Sequence, residues 1–221
     1  MSGDAGRGAQ REAAGRGAEG AAIRAFFAVE LGAAARRAAA AAAHALRGRP
    51  GGDGVRWVRP EGLHVTLRFL GGVEPARVAP LAARARGELA LLSPFRVRLG
   101  AAELFPTPRR PRVVALGLRP EAPLAALAGA LERAAVAEGF APEERPFRAH
   151  LTLGRVRERR CPDAAGLAVP AEELAVDEIV LYRSELAPEG ARYVPLERLR
   201  LGAGAAPTDH PNREARSERK T

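Results

Sequence analysis

Two tetrapeptides in this chain pair an imidazole with a hydroxyl at a spacing that brings them together. They are His64-Val65-Thr66-Leu67 and His150-Leu151-Thr152-Leu153. In a β-strand alternate residues share a face, so each histidine projects beside its threonine while the apolar residues pack behind. The chain holds only four histidines and five threonines. Two chance copies of this pattern would arise with a frequency on the order of 1 in 10,000. One copy would be read as a structural histidine on a strand; two copies point to a site.

The chemistry that suits such a pair is displacement at phosphorus. Opening a cyclic phosphodiester needs a base to activate water on one side of phosphorus and an acid to protonate the departing oxygen on the other. Histidine titrates near neutrality and can do either. Threonine hydroxyls can donate to the non-bridging oxygens, where negative charge concentrates. Arg68 shares strand parity with His64 and Thr66, which makes it the arginine favoured by spacing for contact with phosphate. Arg155, five residues beyond His150, has the opposite parity and reaches the same face only if its strand bends or ends first. Neither motif has a cysteine or carboxylate at ligand spacing, so no metal site is expected, and no cofactor.

The elements that must position these residues are legible from periodicity. Strands are expected at 23–29, 55–58, 64–70, 95–99, 112–118, 150–156, 176–182 and 193–199, the last an edge strand because of Pro195. Helices are expected at 33–46, 78–92 and 123–138, with Gly139 as the C-cap of the third. Each half runs strand, helix, then a strand that begins with histidine. This crude duplication implies an α+β fold of two lobes, built from strand–helix–strand units with largely antiparallel sheets around a central cleft. Residues 1–21 and 202–221 lack apolar periodicity and are expected to be disordered tails, leaving a folded body at 22–201.

At these residues the chain resembles the two-histidine (2H) phosphoesterases, and most closely their bacterial and archaeal branch, the RNA 2′,3′-cyclic phosphodiesterases, also called 2′-5′ RNA ligases. The likeness runs through nearly the whole body. It includes Phe26-Phe27-Ala28-Val29, then Leu63 to Gly71 around the first motif, and Phe105-Pro106 with Pro111-Arg112-Val113. Gly139-Phe140 and Arg145-Pro146-Phe147 follow, then His150 to Arg155, Leu181-Tyr182-Arg183-Ser184 and Gly190-Ala191-Arg192-Tyr193. The resemblance implies a metal-independent enzyme that converts RNA 2′,3′-cyclic phosphate ends to 2′-phosphates. It implies that His64 is the proton donor to the leaving 3′ oxygen, that His150 is the acceptor that activates water, and that Arg155 contacts phosphate. One departure is Ala149, where proline is common in the family. Two other readings are the reverse reaction, joining RNA ends through a 2′-5′ linkage, and an RNA-binding module without catalysis.

The totals agree with this picture. The formal net charge is +9. Residues 1–20 balance three arginines with three acids, and residues 203–221 set four cations against three anions, so the surplus lies on the body. A basic body suits a polyanionic partner such as RNA. Yet Lys220 is the only lysine among abundant arginine, alanine and glycine, a bias that genome composition alone can produce. Charge therefore does not identify the partner. A single cysteine, Cys161, excludes an intramolecular disulfide and fits a reducing cytoplasm. No apolar run is long enough to span a bilayer, and a monomer is expected. The Gly15–Gly20 stretch matches a dinucleotide-binding spacing but follows no strand. His44 suits a helix C-terminus, His210 falls in the tail, and Trp57 and the phenylalanines are assigned to the core.

Overall fold

The computed structural model describes residues 21–157, 160–187 and 190–202. The expected tails therefore lie almost wholly outside the described residues, as do the Gly15–Gly20 stretch and His210. Nine strands and three α-helices occur among the described residues: β1 (Ile23–Glu30), α1 (Ala33–Arg47), β2 (Val55–Trp57), β3 (His64–Val73), α2 (Val78–Leu89), β4 (Phe95–Phe105), β5 (Val113–Arg119), α3 (Ala122–Ala137), β6 (His150–Val156), β7 (Glu173–Val176), β8 (Glu178–Ala187) and β9 (Gly190–Arg200). They form two antiparallel sheets, ordered β3-β1-β8-β9 and β2-β6-β5-β4-β7.

The duplication is real and extends beyond the strand–helix–strand unit. In each sheet the strand bearing the motif pairs with the strand preceding it in its unit, and two more antiparallel strands follow. β2 adds to the second sheet although it lies in the first half of the chain. β9 is an edge strand, as Pro195 requires, and the register shifts beside that proline. The helices, however, do not stay with their own units. α1 packs on the second sheet, against β2, β6 and β7, whereas α3 packs on β3 of the first and against α2. The lobes are thus interlocked through exchanged helices.

Apolar spacing explains the packing. α1 buries Ala35, Ala38, Ala39, Ala42, Ala43 and Leu46, one stripe at helical period. α3 buries Leu124, Leu127, Leu131, Ala134 and Ala135 in the same way. It ends where Gly139 turns left-handed at φ 76°, and the Phe140 N–H returns to the Ala135 carbonyl at 3.0 Å. No helix among the described residues is long and apolar enough to cross a membrane.

Two register breaks control what the cleft sees. Along β3, Thr66 pairs with Ala28 and Arg68 with Phe27, so Leu67 is an extra residue. Along β6, Thr152 pairs with Ala115 and Gly154 with Val114, so Leu153 is extra in the same way. Each bulge follows its motif threonine directly and reverses the parity of every later residue until the next break.

Candidate active site

His64 and His150 stand at the first positions of β3 and β6, and both line one cleft of about 530 Å³ between the sheets. Thr66 and Thr152 line it with them. The two halves repeat the same anchoring. The Nδ1–H of His64 donates to the Gly62 carbonyl at 2.8 Å, and that of His150 to the Arg148 carbonyl at 2.8 Å. A carbonyl only accepts, so the proton sits on Nδ1 and the Nε2 lone pair of each neutral ring remains available. Each imidazole also lies against a phenylalanine at the same tilt: Phe26 at 4.9 Å from His64 and Phe105 at 5.0 Å from His150, both at 35°. Among the described residues, no side-chain hydrogen bond engages either threonine hydroxyl.

The bulges decide the arginines. Arg155, wrong in parity on an unbroken strand, is brought onto the face of His150 and Thr152 by the extra Leu153 and lines the cleft. Arg68 meets the opposite fate and is corrected here: it does not line the cleft. The extra Leu67 turns it inward, where it is 7% exposed. Its guanidinium pairs with Glu132 of α3, lies 3.9 Å from Glu143, and donates to the Phe69 and Ala141 carbonyls. It ties the first motif strand to α3 and to the segment that leads to His150.

Phe69 takes the cleft position that parity gave to Arg68. It stands five residues beyond His64, as Arg155 stands five beyond His150, and is 53% exposed. The assignment of the phenylalanines to the core is therefore corrected at Phe69, whereas Phe26 is buried in a core cluster whose surface also lines the cleft. Trp57 is half-buried and packs against the core, its indole N–H donating to the Gly52 carbonyl at 2.9 Å. His44 sits exposed on α1, away from the cleft.

Electrostatics separates the two histidines. Part of the His64 ring opens to the cleft, but protein surrounds it on most sides. Phe26 lies tilted against it, and Tyr193 meets it edge-on at 4.8 Å. This burial, reinforced by the charges of Arg155 and His150 and opposed by the Gly62 hydrogen bond, pushes His64 down to about 4. At neutral pH it is uncharged. Among the described residues no group of three or more histidine, cysteine or carboxylate side chains gathers at metal-binding distance.

Ala149 has a local use. Its N–H, which a proline would lack, donates to the Glu121 carboxylate at 3.0 Å and ties the start of β6 to the N-terminus of α3.

Comparison with known proteins agrees with this geometry. Residues 35–187 match the model of the 2′-5′ RNA ligase superfamily. The RNA 2′,3′-cyclic phosphodiesterase of Methanothermobacter thermautotrophicus is 36% identical over 153 residues, 66% of this chain and 83% of the relative. The crystal structure of E. coli LigT in apo form superposes with a TM-score of 0.69 at 31% identity, covering 82% of this chain and 99% of the other. LigT complexed with 3′-AMP gives 0.69 at 32% identity, over 81% and 98% of the two chains. A duplicated fold, a paired histidine–threonine cleft and a family match over most of the body lead to one conclusion: this chain belongs to the 2′-5′ RNA ligase superfamily, the two-histidine phosphoesterases.

Proposed function

We propose that this protein hydrolyses RNA 2′,3′-cyclic phosphate ends to 2′-phosphates, with His64 and His150 as its acid–base pair. The observation that carries the reading is the matched anchoring of the two imidazoles. Each is held through Nδ1 by a backbone carbonyl and leaves Nε2 for a shared cleft, beside a threonine hydroxyl with no side-chain partner among the described residues. The relatives support the substrate class, being RNA 2′,3′-cyclic phosphodiesterases by name, and one crystal structure of LigT is a complex with 3′-AMP.

In the proposed step, neutral His150 takes a proton from water through Nε2 as the oxygen attacks phosphorus. His64 donates a proton to the departing 3′ oxygen, in line with the attack. Thr66, Thr152 and Arg155 hold the non-bridging oxygens and stabilise the charge that builds there. Burial, with a lesser contribution from nearby positive charge, keeps His64 neutral, and entry of the phosphodiester anion sets a negative charge against both and so draws onto the ring the proton it must deliver. The folded unit 22–201 carries every residue of this scheme, which suits a monomer, and the single cysteine suits the cytoplasm.

The test is turnover of an oligonucleotide ending in a 2′,3′-cyclic phosphate by the full chain and by its His64→Ala and His150→Ala variants. Each variant should lose about 10²–10⁴ in rate, the share of one general acid or base, while still folding. Wild-type inactivity would defeat the activity; a variant with near wild-type turnover would remove that histidine from the mechanism.

A further inference from the structure

The cleft continues past the histidines along the first sheet, farther than one phosphate needs. On β1 the even-numbered side chains face the cleft, since Ala25, Phe27 and Val29 belong to the main core while Phe26 and Ala28 join a separate cluster on the other face. Arg24 therefore shares a face with Phe26. Its cross-strand partner is Ser184 of β8, so guanidinium and hydroxyl stand side by side at the far end of the cleft, and both line it. Arg24 is exposed, and among the described residues it has neither an ion pair nor a side-chain hydrogen bond, whereas Arg183 and Arg198 of the same sheet are paired with carboxylates.

Spacing gives this end a meaning. Thr66 pairs with Ala28, four residues from Arg24 along β1, or about 13 Å at the rise of a strand. A long arginine side chain can close part of that gap. What lies between is apolar and aromatic: Phe26 and the half-exposed Phe69. A cation, an aromatic floor and a polar pair for phosphate follow one another as the parts of a nucleotide do. We propose that Arg24 and Ser184 form a second phosphate subsite, which receives the phosphate on the 5′ side of the terminal nucleoside. This rests on the reading above that the histidine–threonine pairs hold the 3′-terminal phosphate. It makes the enzyme favour a phosphorylated or oligonucleotide end over a lone nucleoside cyclic phosphate.

The probe pair is adenosine 3′-phosphate and adenosine 3′,5′-bisphosphate, which differ only by the phosphate in question. Calorimetry on the full chain should find the bisphosphate bound about tenfold or more tightly, the contribution of one charged hydrogen-bonded contact. Arg24→Ala should collapse that difference to less than twofold, Arg24→Lys should restore part of it, and adenosine 3′-phosphate serves as the internal reference. The proposal is overturned if wild type does not discriminate, if Arg24→Ala still discriminates, or if that variant weakens both ligands alike. Turnover of a cyclic-phosphate end is scored separately. Intact discrimination without turnover removes only the proposed activity, and turnover without discrimination removes only the subsite.

Discussion

Replacing His64 by asparagine should flatten the acid limb of this protein's stability. Asparagine can still donate to the Gly62 carbonyl but does not titrate, so the comparison isolates the ring's protonation. In the folded protein His64 titrates at about 4, against an ordinary value of 6.5, because burial and then the positive charge of Arg155 disfavour the imidazolium. Between those two values the unfolded chain binds more protons than the folded one, so stability falls as the solution is acidified. The contribution is fully present above about pH 6.5 and is lost as pH drops through 4. Between pH 7 and pH 5 it amounts to about 2 kcal/mol. Urea midpoints of wild type and His64→Asn, measured from pH 8 to pH 4, should therefore converge on the acid side, wild type losing more. Parallel curves, with a constant difference across the range, would refute the assignment of a buried, neutral His64.

Three further outcomes follow from the same geometry. Arg68→Met should lower stability by about 1–3 kcal/mol, below the cost for a fully buried pair because Glu132 is partly exposed, and should leave KM near wild type; Arg155→Met should do the reverse, and steady-state kinetics with thermal melts separates the two. Thr66→Val or Thr152→Val should each lower kcat on the order of 10²-fold, as expected for a lost donor to a charged oxygen; an unchanged kcat in both would remove the hydroxyls from the transition state. Activity should survive prolonged chelation, and loss on chelation with recovery on adding a divalent ion would contradict a purely side-chain acid–base mechanism.

Much of this was readable from residues alone, and the reason for the rest is specific. The motif strands, the three helices, the left-handed Gly139 and the edge position forced by Pro195 are local properties, and periodicity carried them. The bulges are not local. A register break belongs to a pair of strands, so parity counted along one strand put Arg68 in the cleft and Arg155 out of it, and pairing reversed both. One signal was present: Gly154 follows the extra Leu153. A Cβ there would lie 2.5 Å from the Val55 side chain, so the strand admits only glycine where β2 closes on it. Near Leu67 no glycine marks the break until Gly71. The cleft role of Phe69 was hidden for the same reason. The exchanged helices were hidden for another, since an amphipathic stripe says that a helix is buried but not which sheet covers it.

The most direct test of the central claim is the identity of the product. Water attacks phosphorus opposite the oxygen that leaves, so the position of the acid decides which ribose bond breaks. With His64 beside the 3′ oxygen, phosphorus NMR of the product from an RNA ending in a 2′,3′-cyclic phosphate should show a 2′-phosphate. A predominant 3′-phosphate would contradict His64 as the acid, even if both histidines proved essential.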